Sequence, residues 1–574
     1  MAFKIDNATV QNNIKAMQAF MKKENLDYFY VSSFDPYLNE YVPMKNSPRY
    51  YVTGFSGSVA EVLLPKEGKV KLYVDGRYHE QADLECDLEI IEVIKTPQNT
   101  SNSSLLMEDL KNLGVTEIGI ESERTSLGFY QVLSTCYKVK TFSEELMRSI
   151  LPFESLGTFP PIKQLDTSLA GRTVTEKLDL IFKSEPKSAH FITAVDTLSW
   201  ITNCRGYHLP FQSSFLGRGL AIKDKVFVFI ESGIEVDCDD SAIEFISTDM
   251  KDKLVTLSSK IEKLYYDKIM LNAADFMILE SLFSKEVLEH KDGGLIEFQS
   301  LKDETELNSI RASFKRSDKA IYNTIKTVKE KVSQGEKVSE LDLYNLTTEK
   351  YNEQGAVGQS FNTIAGADAN GSIIHYGDPK ADVYLREDSM ALLDSGGYFE
   401  SGFATDTTRT FMCSTIEGSA KHKEIYTLVL KGTLNLQNAI FKPGTRGHGL
   451  DAICRQPLYQ YGYDFAHGTG HGVGIHVHEG GVGISPARNY LMQAGQVVSI
   501  EPGIYLPGFG GVRLENIAIV KDHPEYEGFL CFENLVYIGF DPLLIEESLL
   551  TDQEKKWLEE YEAICTERGT SFLN

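Results

Sequence analysis

The sequence predicts an α/β (α+β) protein, with two N-terminal α/β domains followed by a larger domain of sheet and long helices. Three observations carry this. The chain has 574 residues, room for about three domains at roughly 100–200 residues each. Short apolar runs alternate with helical periods through its first half. At Asp303 the texture changes to long amphipathic helices separated by glycine-rich, strand-like segments. The domain limits that follow are 1–155, 156–302 and 303–574.

The elements justify this in order. Residues 10–24 carry a helical period, and apolar runs at Tyr28–Val31, Val59–Leu64, Lys71–Val74, Glu89–Ile94 and Ile118–Ile120 read as strands. Leu151–Gln164 holds prolines and phenylalanines among small residues and reads as a linker. Ala189–Ile201 reads as a helix, Gly219–Lys223 and Val226–Ile230 as a strand pair, and 271–285 as a helix. No repeat between the two halves is strong enough to establish a duplication. Leu307, Ile310, Phe314, Ile321, Ile325, Val328 and Val332 then recur at mostly three- and four-residue steps, a long amphipathic helix ending near Gly335. Ser339 heads a second helix with Asp342 in a capping box. Ser419–Phe441 gives a third, stopped by Lys442-Pro-Gly444, and Gly449–Tyr461 a fourth.

Composition excludes several classes. Apolar content is 42% and the formal charge is −25, with a pI near 5.0. Phosphates demand a basic face, so this acidic balance argues against nucleic acid as a main partner. Eight cysteines between Cys86 and Cys565 form no CxxC. That pattern predicts free thiols in a reducing compartment rather than disulfides or structural zinc. The start, MAFKIDNATVQ, lacks a signal-peptide pattern, and no apolar run approaches membrane-spanning length. The expected location is the cytoplasm, with no membrane partner.

Five residues form a candidate metal set. Asp394 follows the apolar run Met390–Leu393 in ALLDSG, Asp406 lies in ATDTTRTF, His471 in HGTGHGVG, Glu501 in SIEPGIY and Glu515 in VRLEN. Each puts an acid or imidazole at the edge of an apolar strand, where a carboxylate is costly unless paired or bound to metal. A set rich in carboxylates suits Mn2+, Mg2+, Fe2+ or Co2+ better than a thiolate-type zinc site. Four carboxylates and one imidazole carry too much charge for one divalent ion and suit two, roughly 3.5–4 Å apart. Such a pair holds a hydroxide at neutral pH and polarises a carbonyl oxygen. His467 and His471 stand four apart, but Gly468, Gly470 and Gly472 exclude a helical zinc pair. The glycine-rich run lacks the GxxxxGK[ST] pattern of a phosphate loop. Asp75-Gly-Arg77 reads as a turn with an internal ion pair, Trp200 as core, and His476 as a bystander.

The ordered set DSG, TDTTRT, HGTGHGVG, EPG and RLEN resembles the superfamily of methionine aminopeptidase, prolidase and aminopeptidase P. The chain is most similar to the large, three-domain aminopeptidase P branch, which cleaves Xaa-Pro bonds. SFDPYLNEY, YVTGFSGS and LYVDGRYHEQ resemble its first domain, AVDTLSWITNCRGYHLP its second, and SFNTIAGADANGSIIHYGD its approach to the active site. The tail FENLVYIGFDPLLIEESLLTDQEKKWLEEY resembles its C-terminal extension. The resemblance implies two creatinase-like α/β domains and a pita-bread catalytic domain. It implies that Asp394, Asp406 and Glu515 hold one metal and that Asp406, His471, Glu501 and Glu515 hold the other. The usual ion is Mn2+, with Co2+ or Zn2+ as alternatives. Glu501 would also accept the proton of the attacking water. His375, His467 and His478 would surround the substrate, and Arg513 would assist proton movement. The implied substrates are peptides with proline at position 2, and the implied assembly is a homodimer. Asp394 and Asp406 stand one residue further apart than is usual in the family, which places an extra residue near Glu400–Phe403 or a bulge that displaces a ligand. His471 and His478 are closer than in many large members, and Asn362 stands where proline is common. The rival readings are a prolidase acting on Xaa-Pro dipeptides and a non-catalytic pita-bread binding protein.

Overall fold

The computed structural model describes residues 3–98, 100–487 and 489–573. The chain divides into two compact units, Met1–Gln164 with Arg172–Pro210 and Ser214–Leu295, and Leu165–Gly171 with Phe211–Ser213 and Ile296–Asn574. Among the described residues no helix is long and apolar enough to cross a membrane.

The first unit holds two six-stranded sheets. In the first, the spatial order is Ile91–Lys95, Val70–Val74, Glu61–Pro65, Tyr28–Val31, Glu117–Glu121, Lys138–Phe142. Only the two pairings made by Glu61–Pro65 are antiparallel; the other three are parallel. The second sheet runs Ile243–Ile246, Lys225–Phe229, Arg218–Ile222, Ser188–Ile192, Lys263–Tyr266, Leu288–His290. Its pairings repeat the same series of parallel and antiparallel neighbours. The same strand order and sense occurring twice is a structural duplication. It extends to local detail. The helices Pro48–Thr53 and Val195–Thr202 end in Val-Thr-Gly54 and Ile-Thr-Asn203, and both capping residues are left-handed, φ 72° and 57°. Thr53 and Thr202 each donate from the hydroxyl to the carbonyl four residues back.

Most expected elements of this unit are present within a few residues. One is not. Ala189–Ile201 is not a single helix: Ser188–Ile192 is a strand buried along its whole length, and the helix begins at Val195. A strand covered on both faces shows no alternation, so its apolar run merges with the helical period behind it. The linker also ends in a short strand, Ile162–Gln164, paired with Val236–Asp237 and Cys204–Arg205. Asp75 and Arg77 form the expected ion pair, 2.8 Å between Nη2 and Oδ2, and Trp200 is buried. All eight cysteines are free.

In the second unit, the helix Glu304–Ser333 buries all seven apolar positions read from its period. Asp303 and Glu306 close its N-terminus with a capping box, and Ser339 with Asp342 does the same for Glu340–Glu353. The other long helices are Ala420–Gln437, Gly447–Tyr459 and Asp552–Arg568. They accompany an antiparallel three-stranded sheet, Ile364–Ala367, Met390–Ser395 and Thr407–Met412. A five-stranded sheet follows, Glu479–Ile484, Gly470–Gly472, Val497–Ile500, Asn516–Asp522 and Leu530–Asn534. The hairpin Gly503–Leu506/Gly510–Arg513 links its third and fourth strands. The apolar faces of Ala420–Gln437 and of the hairpin share one core with Met390, Met412 and Tyr561. That core supports the strands at whose ends the four acids and the imidazole of the candidate set stand.

Candidate metal centre

Asp394 lies on the central strand of the small sheet, opposite Thr408. The register between these strands is unbroken from Met390 to Ser395, so no bulge displaces Asp394, and the extra length lies in the loop where Tyr398 bridges Ala404. Asp406 immediately precedes the partner strand. His471 sits in Gly470–Gly472, where the register shifts against Glu479–Ile484. A side chain at Gly470 would run into the Ser499 carbonyl, so only glycine lets these strands approach so closely. Glu501 follows Val497–Ile500, and Glu515 joins the hairpin to Asn516–Asp522.

These elements bring the ligand atoms of Asp406, His471 and Glu515 within 4.8 Å of one another. His471 Nε2 lies 3.5 Å from Asp406 Oδ2 and 3.3 Å from Glu501 Oε1. Its Nδ1 faces the Gly472 carbonyl at 3.1 Å. Donation there turns the Nε2 lone pair towards the Asp406 and Glu501 carboxylates, the orientation a ligand bond requires. Asp394 Oδ2 accepts from Arg513 Nη2 at 2.6 Å and Glu515 Oε2 from the Thr408 hydroxyl at 2.9 Å. The other oxygens, Asp394 Oδ1 and Glu515 Oε1, are buried without a hydrogen-bond partner. Burial, then the neighbouring carboxylates, push the proton affinities of Asp406 and Glu515 well above the usual range. Burial likewise lifts Glu501 to about 7, against the opposing pull of Arg513. Crowded acids with orphaned oxygens are what a divalent cation satisfies. The donor set therefore fits a metal centre of hard ions.

Three of the remaining site candidates, His478, His467 and Arg513, adjoin this cluster. The His478 ring stands edge-on to the His471 ring, centroids 4.4 Å apart. His467 Nδ1 faces the Gly468 carbonyl at 2.7 Å, and its Nε2 meets the Tyr505 hydroxyl at 2.8 Å. Arg513 is buried and donates from Nη1 to the same hydroxyl at 2.8 Å and from Nε to Thr408 at 3.0 Å. Tyr505 thus accepts from Arg513 and donates to His467, which links His467 to Asp394 through two residues. His375 is half-buried in the stretch after the short 3-10 turn Asp368–Ser372.

Sequence reasoning missed Tyr505, Thr408 and Arg455. Arg455 is buried, pairs with Asp451, and donates to the carbonyls of Phe465 and His467. Its only sequence signal is the i,i+4 spacing with Asp451. Tyr505 stands four residues past Glu501, within a run that periodicity assigns to strand and nothing more.

A buried, carboxylate-rich centre on this sheet arrangement defines a class, the metal-dependent hydrolases. Comparison with known proteins is more specific. The profile of metallopeptidase family M24 matches residues 308–522, and its C-terminal region matches 528–574. Two creatinase/prolidase N-terminal domain profiles match 13–150 and 158–306. A protein of Sordaria macrospora named "Probable Xaa-Pro aminopeptidase P" is 30% identical over 95% of this chain and 94% of its own length. One of Laccaria bicolor with the same name is 30% identical over 99% and 92%. The crystal structure of X-prolyl aminopeptidase from Caenorhabditis elegans, described as a cytosolic enzyme with a di-nuclear active site, covers 98% of this chain and 96% of that one. Its TM-score is 0.89 at 23% identity, a likeness of fold. The chain belongs to metallopeptidase family M24, with two creatinase-type domains ahead of a pita-bread domain.

Proposed function

We propose that this chain is an aminopeptidase that hydrolyses the bond between an N-terminal residue and a proline at position 2. The observation that carries hydrolysis is the convergence of Asp406, His471 and Glu515 beside two buried carboxylate oxygens that no protein group satisfies. The proline preference is supported by the relatives named Xaa-Pro aminopeptidase P.

Asp394, Asp406, His471, Glu501 and Glu515 would hold two divalent ions, with Asp406 and Glu515 shared. Ions bound there supply Lewis acidity and a water acidic enough to attack at neutral pH. The protein's own groups do the rest. Glu501, whose Oε1 lies 3.3 Å from His471 Nε2 within the cluster, is placed to take a proton at its carboxylate and release it. The leaving proline nitrogen must gain one as the C–N bond breaks, or it would depart as an amide anion. Arg513 and Tyr505 fix Asp394 and the lone-pair direction of His467. His478 and His375 stand as N–H donors for the developing oxyanion. We also propose manganese as the ion, supported by the oxygen-rich ligand set. A homodimer, the cytoplasm and domain limits at 155 and 302 belong to the same reading. The cytoplasm has the support of the nematode enzyme's description.

The test uses Mn2+-loaded protein with Xaa-Pro-Yaa and Xaa-Pro, each with and without chelator. Release of Xaa from the tripeptide, abolished by chelation, is expected. Cleavage of the dipeptide alone identifies a prolidase. No cleavage with any divalent ion overturns the enzymatic reading.

A further inference from the structure

The stretch from Ala367 to Lys380 carries His375, yet its only regular structure beyond Ala367 is the turn Asp368–Ser372. A loop without a ladder needs other partners to hold one shape. Here they converge on one side chain. Glu340, the first residue of Glu340–Glu353, is fully buried. Its Oε1 accepts from the Ala367 N–H at 2.9 Å and from Asn370 Nδ2 at 3.0 Å. Its Oε2 accepts from the Tyr376 hydroxyl at 2.7 Å and from the Lys380 N–H at 3.1 Å. Asn370 Nδ2 also donates to the Tyr376 hydroxyl at 3.0 Å, which closes the network.

These four partners are neutral donors, two on the main chain and two on side chains. They span the loop from its entry to its exit, with His375 next to one of them. A buried carboxylate in that position contributes geometry more than stability. The other face of the tether leads into the metal centre. Tyr376 packs with Ile364, Ile373 and Leu392, and Tyr505 lies against this cluster. Tyr505 is the residue whose hydroxyl meets His467 and Arg513. The loop entry has its own lock: Asp368 is left-handed, φ 47°, and its carboxylate accepts from the Met390 N–H and the Ser389 hydroxyl. Met390 begins the strand that carries Asp394.

We infer that Glu340 is a positioning residue for His375. Its carboxylate gathers Ala367, Asn370, Tyr376 and Lys380 and so fixes where the His375 imidazole stands relative to the metal centre. The role of His375 rests on the function proposed above; the tether does not.

Glu340→Gln keeps the shape but turns an NH2 group towards donors, so at least one main-chain N–H loses its acceptor. The expected loss in kcat on Xaa-Pro-Yaa is roughly 10- to 100-fold, as for a catalytic group misplaced by about 1 Å. KM and the Mn2+ dissociation constant, measured by calorimetry, are expected to stay within about threefold, because no metal ligand lies on this loop. In a His375→Ala background the same change is expected to cost less than about twofold, since both act through one group. Hydrogen exchange at 367–380 is expected to rise locally. Should Glu340→Gln not fold, Tyr376→Phe, which removes one of the four bonds, is expected to shift kcat and exchange in the same direction.

A full loss retained in the His375→Ala background overturns the positioning role, as does normal kcat. Unchanged exchange at 367–380 overturns the tether, whether or not the protein cleaves any peptide. Absence of peptide cleavage by the unaltered protein, with exchange rising as expected, overturns the proposed function alone.

Discussion

Lys302 and Glu479 form an ion pair whose side chains are 1% and 2% exposed. Lys302 precedes the long helix Glu304–Ser333, and Glu479 follows His478 at the start of a strand. Gln299 completes the group: its Nε2 donates to Glu479 at 2.8 Å, and its carbonyl accepts from Lys302 at 2.6 Å. Replacing Lys302 by Met leaves a buried carboxylate with one amide donor among these partners. Breaking one side of such a pair costs about 3–5 kcal/mol. For a unit of this size, at about 2 °C per kcal/mol, the midpoint falls by roughly 6–10 °C. Restoring neutrality with Glu479→Gln in the same chain should recover most of the loss, because two neutral partners of similar shape are tolerated far better than one stranded charge. Scanning calorimetry on both variants, repeated at several heating rates to separate kinetics from equilibrium, measures this. A Lys302→Met midpoint within about 2 °C of the unaltered protein refutes the reasoning. So does a double variant no more stable than the single one.

Three further outcomes are expected. Glu501→Gln should lose roughly 10²- to 10⁴-fold in kcat, the range of a general base, with an unchanged circular dichroism spectrum; near-normal turnover removes Glu501 from its assigned role. Burial pushes His190 down to about 3 and His208 to about 4, so the unfolded chain binds more protons than the folded one as pH falls below 6.5. Each imidazole then removes about 1.4 kcal/mol of stability per pH unit until its folded value is reached. His190→Phe should therefore flatten the fall in melting temperature between pH 6.5 and 5, and an unchanged slope contradicts this. All eight thiols should react with a thiol reagent after unfolding without reductant, whereas in the native protein the exposed Cys136 should react first; fewer than eight on unfolding contradicts the free-thiol assignment.

The cluster of acids around His471 was legible because its chemistry is out of place in sequence: an acid at the end of an apolar strand demands a partner. The long helix was legible because seven apolar positions keep step over its length, and all are buried. What supports the ligands was not legible. Tyr505, Thr408 and Arg455 act through contacts between residues far apart in the chain, and each reads locally as an ordinary strand or helix residue. Glu340 reads as a favourable first-turn acid of a helix, which hides its four contacts with the loop. The run 189–201 misled because a strand buried on both faces leaves no period. The duplication was hidden for a different reason. Its trace in sequence is three residues, Val52-Thr-Gly54 and Ile201-Thr-Asn203, whose kinship lies in a shared left-handed cap rather than in identity.

That duplication has a consequence for how the chain can change over time. Two copies of one topology give a lineage a spare. A copy that keeps its sheet intact preserves folding, while its connecting segments are free to acquire new sequence under separate selection. The second copy shows one result. Just past its Ile-Thr-Asn203 cap, Phe211–Ser213 leaves the copy and belongs to the metal-centre unit. There the Ser213 hydroxyl donates to the Gly402 carbonyl at 2.6 Å, in the loop that leads to Asp406. A connecting segment of one duplicate thus holds the loop ahead of Asp406, so substitutions at Phe211–Ser213 act on that loop rather than on the sheet the segment departs from.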